Sequence, residues 1–122
     1  MSATISKESK DFVVITIKGV FMYQDMKAIE DTAQDILPIG DKINCLILAE
    51  KFTGWGKDGD WGDLSFMYKN DQFIGKIAIV ADEKRRDEFL MFLGAGRRQA
   101  IVRFFCSDEQ GKARSWLAEP AE

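Results

Sequence analysis

The sequence predicts an α/β fold: one domain spanning residues 1–122, built on a mixed, mostly parallel five-stranded sheet with about four helices and an N-terminal β-hairpin. Three observations predict it. The runs 43–49 (INCLILA), 76–81 (KIAIVA) and 99–105 (QAIVRFF) are nearly continuous apolar stretches of strand length, the pattern of strands covered on both faces. Helical patterns alternate with them, which is the sequence form of repeated right-handed crossovers onto a parallel sheet. The chain has 122 residues, of which 46% are apolar and 30% charged, a size and composition that suit one folded domain and exclude general disorder.

Taken in order, residues 4–5 and 12–18 read as two strands joined across the polar stretch 6–11. In the second of them Val13, Ile15 and Ile17 alternate with Val14, Thr16 and Lys18, a period of two with one face better buried, and Gly19 ends it. Met22, Met26, Ile29, Ala33 and Ile36 then recur at helical spacing, an amphipathic stripe stopped by Pro38 and Gly40. Strand 43–49 follows, then a short helix around residues 61–69, then strand 76–81. Asp82 caps a helix over residues 83–93 whose buried side is Phe89, Phe92 and Leu93, stopped by Gly94 and Gly96. After strand 99–105, Ser107 and Gln110 form an S-x-x-Q capping box for a last helix with Ala113, Trp116 and Leu117 on one face.

Charge and special residues exclude several functions. Lys plus Arg number 17 against 20 Asp plus Glu, a net charge of -3, and neither half of the chain has the basic footprint of a nucleic-acid binder. The chain contains no histidine, which excludes Ser-His-Asp and Cys-His nucleophilic systems and the common His-containing zinc sites. Cys45 and Cys106 lack C-x-x-C spacing and read as buried, reduced, small apolar residues. No apolar run reaches the roughly 20 residues of a membrane-spanning helix and no leader pattern opens the chain, so a cytoplasmic location is expected.

The segment 50–63 (EKFTGWGKDGDWGD) is the first site candidate. It combines four glycines with Trp55 and Trp61 and lies after a sheet strand, where open α/β sheets place ligands and partners. Gly54, Gly56 and Gly59 spell G-x-G-x-x-G, but away from the strand end and beside Asp58, Asp60 and Asp63, which would repel a pyrophosphate. Those aspartates lack the terminal glutamate of a calcium loop, and as carboxylates near a helix start they suit the helix dipole. Neighbouring carboxylates such as Asp87 and Glu88 diverge on a helix and do not converge for acid–base work. The basic groups Lys84-Arg85-Arg86 and Arg97-Arg98 read as a solvated or ion-paired face. No catalytic residue, metal site or cofactor is expected.

With these elements in place, the chain resembles the SpoIIAA-like family. The residues that carry the likeness are F-T-G-W at 52–55, W-G-D-L at 61–64, K-I-A-I-V-A-D at 76–82, V-R-F-F at 102–105 and A-R-S-W-L at 113–117. The resemblance implies the fold of STAS domains, related in architecture to lipid-binding CRAL-TRIO domains, and a non-enzymatic regulator that docks onto a partner. In the anti-sigma-factor antagonists of this fold a phosphorylatable serine opens the helix after the third strand. Here Thr53 and Ser65 are the nearest hydroxyls and the D-S-x-G motif is absent, so no phosphosite is carried over. The CRAL-TRIO likeness implies a second use, an apolar pocket for a lipid tail or similar small molecule.

The expectation is therefore a non-catalytic domain that docks a protein partner or an apolar small ligand through the loop and helix after the third strand, with Phe52, Trp55, Gly56, Trp61, Phe66 and Tyr68 as the binding residues. The alternatives are a CRAL-TRIO-like carrier of lipid or small apolar ligands, and a histidine-independent enzyme using Lys57 or the carboxylates of the same loop. A homodimer formed through exposed aromatics is a further expectation.

Overall fold

A computed structural model describes residues 3–9, 12–36, 43–55, 74–92 and 101–119. Five strands lie side by side in chain order: β1 (Ala3–Ser9), β2 (Phe12–Phe21), β3 (Ile43–Trp55), β4 (Ile74–Ala81) and β5 (Ile101–Cys106). β1 pairs antiparallel with β2, and β2 through β5 are mutually parallel. Helix α1 (Tyr23–Ile36) follows β2, α2 (Arg86–Phe92) follows β4 and α3 (Gln110–Ala118) follows β5. The mixed, mostly parallel sheet with its leading hairpin is as the sequence predicts. Three α-helices stand among the described residues where about four were expected, and the one expected around 61–69 lies outside them.

Alternation along the strands sorts the core into two layers. On one face Val13, Ile17, Cys45, Ile47, Ala49, Ile77, Ile79 and Ala81 pack with Phe89 of α2 and with Met26 and Ile29 of α1. On the other, Val14, Leu46, Ala78, Val80 and Phe105 pack against Ala113, Trp116 and Leu117 of α3. Residues 78–81 of β4 have no measurable exposure, the consequence of helices on both faces of a central strand. β1, at the sheet's edge, needs no such cover. It is mostly polar over its longer observed span, with Thr4, Ser6, Lys7 and Glu8 exposed and Ile5 half-buried, as edge strands commonly are.

Helix starts are fixed by short-range hydrogen bonds. The Met22 N–H donates to the Asp25 carboxylate (3.2 Å), so the buried Asp25 holds the first turn of α1 and complements its dipole. Asp82 accepts the Lys84 N–H (3.1 Å), opening a 3₁₀ turn over Glu83–Arg85 that leads into α2, as the sequence predicts. Phe89 provides its buried side; the Phe92 side chain, Leu93, Gly94 and Gly96 lie outside the described residues. At α3 the expected cap moves by one residue. Glu109, not Gln110, reaches back and accepts the Cys106 N–H (2.9 Å), because a 3₁₀ turn over Ser107–Glu109 precedes the helix and makes the extended Cys106 its cap. Cys45 is buried as expected, but Cys106, at the strand end, is only partly so.

The other end of α3 is tied to the start of the sheet. The Lys76 ammonium donates to the carbonyls of Trp116 and Glu119, both at 2.8 Å, and Asn44 donates to the Leu117 carbonyl at 2.8 Å while accepting the Lys76 N–H. A cation and an amide thus satisfy carbonyls that a helix C-terminus leaves without intrahelical partners.

Two strand ends differ from expectation. β2 does not stop at Gly19: the glycine takes a left-handed φ of +63° and the strand runs on to Phe21. β3 extends six residues past the apolar run, to Trp55.

Candidate functional site

The extension of β3 shapes the candidate site. Pairing with β4 ends at Ala49–Ala81, but pairing with β2 continues through Lys18–Lys51, Gly19–Phe52 and Val20–Gly54 to Phe21–Trp55. Residues 18–21 and 51–55 therefore form a two-stranded ribbon that overhangs the C-terminal rim of the sheet, where open α/β sheets meet their ligands. The first six residues of the 50–63 segment, read from sequence as an irregular connection, are strand.

Two register shifts lie within this ribbon, between Thr16 and Lys18 and between Gly19 and Val20 on β2, and each sets one extra β3 residue against its neighbour. An inserted residue reverses which face the following side chains take. Before the first shift the odd-numbered Cys45, Ile47 and Ala49 face the first layer; after it the even-numbered Phe52 does.

Phe52 is consequently buried, its ring meeting Phe89 edge-on at 4.8 Å and 61°. Above it lies Arg85, with its guanidinium carbon 5.2 Å from the Phe52 centroid. The same guanidinium donates to the Thr53 carbonyl at 3.0 Å and to both carboxylate oxygens of Glu88 at 3.3 Å. Its Nε is buried without an acceptor among the described residues. Arg85 thereby clamps the overhanging ribbon to the turn that begins α2.

Of the six expected binding residues, Phe52 stands at the root of the ribbon within the core, and Trp55 ends the ribbon opposite Phe21. The Trp55 side chain, Gly56, Trp61, Phe66 and Tyr68 lie outside the described residues, as do Lys57, Asp58, Asp60, Asp63, Arg97 and Arg98. Arg85 is the member that sequence reasoning left in a generic basic cluster. Its signal was the helical spacing to Glu88 and Phe89, three and four residues on, which puts all three on the face turned toward Phe52.

Two titratable groups at the same rim are shifted. Desolvation pushes the Cys106 thiol up, helped by the nearby carboxylates of Glu109, Glu83 and Asp108, the opposite of what an activated thiolate requires. Glu109 is held below the usual carboxylate range by the Cys106 N–H it accepts and by Lys112, 3.2 Å away. Among the described residues no three His, Cys, Asp or Glu side chains are grouped to hold a metal. No helix among them is long and apolar enough to cross a membrane.

The crystal structure of an uncharacterized protein with a SpoIIAA-like fold from Shewanella loihica superposes with a TM-score of 0.74 at 19% identity, covering 96% of this chain and 94% of that one. At that identity the likeness establishes the fold. No curated protein matches the chain. The family model described as SpoIIAA-like matches residues 12–118, a span running from the first core strand through α3 and including the rim and the Arg85 clamp, so the chain belongs to the SpoIIAA-like family.

Proposed function

We propose that this SpoIIAA-like chain is a cytoplasmic, non-catalytic binding module that docks a protein partner or an apolar small ligand through the end of β3 and the segment that follows it. SpoIIAA-like domains are typically regulatory or binding modules and generally non-catalytic. The observation that carries the reading is the ribbon: β3 outruns β4, and its last residues are held out beyond the rim by Arg85 and rooted by Phe52. A rigid projection that ends in a tryptophan and leads into a glycine-rich, tryptophan-bearing stretch is suited to recognition, since aromatic side chains carry much of the energy of binding surfaces. In this reading Phe52 anchors the site from inside, and Trp55, Gly56, Trp61, Phe66 and Tyr68 meet the bound molecule.

The test is the double substitution Trp55→Ala with Trp61→Ala, compared with the parent chain by native mass spectrometry and pull-down. A co-purifying small molecule or a defined partner retained by the parent and lost by the folded variant supports the proposal. Unchanged binding by a variant of unchanged far-UV circular dichroism refutes it.

A further inference from the structure

The geometry points to a second recognition surface, a groove between β5 and α3 that takes an extended peptide segment bearing a single carboxylate. β5 is the last strand of the sheet formed by the described residues. Its odd-numbered side chains share the α3 face: Phe105 is buried, whereas Ile101 is 52% exposed and Arg103 is exposed. From α3 and the residues flanking it, Glu109, Lys112, Trp116 and Glu119 line the same groove, at spacings of three, four and three, with about 500 Å³ between them and Arg103 and Phe105.

The charges in the groove select the occupant. Arg103 lies over two rings, its guanidinium carbon 5.0 Å from the Phe105 centroid and 5.8 Å from that of Trp116, and no carboxylate among the described residues pairs with it. Lys112 is already matched, because one Glu109 oxygen accepts from it and the other from the Cys106 N–H. Glu119 leaves a carboxylate at the far end, beside the carbonyl that anchors Lys76. A polyanion such as a nucleic acid or an anionic membrane would meet Glu109 and Glu119 as well as Arg103. One carboxylate set against Arg103 meets only the cation, and a guanidinium fork fits a carboxylate in two parallel hydrogen bonds.

The backbone supplies the rest. Among the described residues β5 pairs on one side only, with β4, and alternate residues of such a strand turn their N–H and C=O groups away from the sheet, so an extended segment can add as a further strand with every second side chain toward the groove. The six residues of β5 offer about 20 Å for that pairing, and Trp116 provides the apolar platform beside the charge. None of these groove residues belongs to the β3 rim.

Selection of a phage-displayed library of random hexapeptides on the full chain tests the proposal, followed by titration of terminally blocked synthetic copies of the selected sequences. The expected sequences carry one Asp or Glu at a fixed position, and replacing it by the amide weakens binding about ten-fold or more. Arg103→Gln abolishes that discrimination, Arg103→Lys restores part of it, and the amides of residues 101–106 gain protection from exchange. Arg103 is exposed, so these variants keep the fold. Trp55→Ala with Trp61→Ala leaves peptide binding unchanged, which separates this groove from the rim. A library that yields no binder, binders indifferent to their acidic residue or to Arg103→Gln, or protection away from β5 overturns the proposal. So does displacement of the peptides by an oligonucleotide or by anionic vesicles with the same Arg103 dependence.

Discussion

Replacing Arg85 by methionine isolates the clamp, because methionine keeps an apolar stem over Phe52 and removes the guanidinium. The bond to the Thr53 carbonyl, at 3.0 Å from a charged donor, is worth about 1.5 kcal/mol. The pair with Glu88 is partly exposed, with side chains 25% and 40% accessible, and after solvent screening contributes about 0.4 kcal/mol. The guanidinium over Phe52 adds about 0.5 kcal/mol. Against these stands the buried Nε with no acceptor among the described residues, whose removal relieves about 1 kcal/mol. The net loss is about 1.4 kcal/mol, a factor of ten in the unfolding equilibrium, and is read from the urea midpoint at unchanged slope. The local effect is the sharper readout. Amides of residues 52–55, which open with the ribbon, should exchange about ten-fold faster, and Arg85→Lys should fall between Arg85→Met and the parent. Unchanged exchange at 52–55, or a variant more stable than the parent, would show that Arg85 does not hold the ribbon.

Three further outcomes follow from the same geometry. Lys76→Met removes two 2.8 Å bonds to the end of α3 but also relieves a buried charge; a loss of about 2 kcal/mol is expected by urea unfolding, and it should be less than additive with Asn44→Ala because both side chains hold the same helix end. Glu109 has a folded pKa below its unfolded value, so its contribution to stability is present above the ordinary carboxylate range and is lost as pH falls through the depressed value; Glu109→Gln should therefore flatten that part of the acid limb in a pH series of thermal melts. Gly19→Ala meets no atom within 4 Å but keeps a φ of +63°, so the cost is backbone strain alone, about 1 kcal/mol, and a larger loss by urea unfolding would point to a contact that the geometry lacks.

Apolar continuity made the central strands legible. Residues 43–49 and 76–81 could be placed from sequence because both of their faces are covered, and α1 and α3 because their stripes recur at helical spacing. The capping box at α3 was misread by one residue for a local reason: Ser107-x-x-Gln110 has the right composition, but the competing pair Cys106 and Glu109 wins once the 3₁₀ turn places the glutamate within 2.9 Å of the strand's last N–H. β1 was drawn too short because its exposed face carries Thr4, Ser6 and Glu8, and an antiparallel edge strand is held by its ladder to β2 and not by apolar content.

The construction of the ribbon at the candidate site was not legible, and the reason lies in the two register shifts. Period-two reading assigns a face by parity, so Phe52 and Ala49 should oppose one another; the extra residue between them puts both in the same layer. From sequence, Phe52 is expected as one of the binding residues, whereas it is packed edge-on against Phe89 and roofed by Arg85. The shift gives the rim its form: without it β3 would present Phe52 to the α3 side, the Phe89 contact would be lost, and Arg85 would have no ring to cover. An extra residue carries no compositional mark in EKFTGW. What the sequence does contain is the partner set on the opposite element, Arg85, Glu88 and Phe89 at helical spacing, and that face makes sense only if an aromatic side chain from the neighbouring strand comes down to meet it.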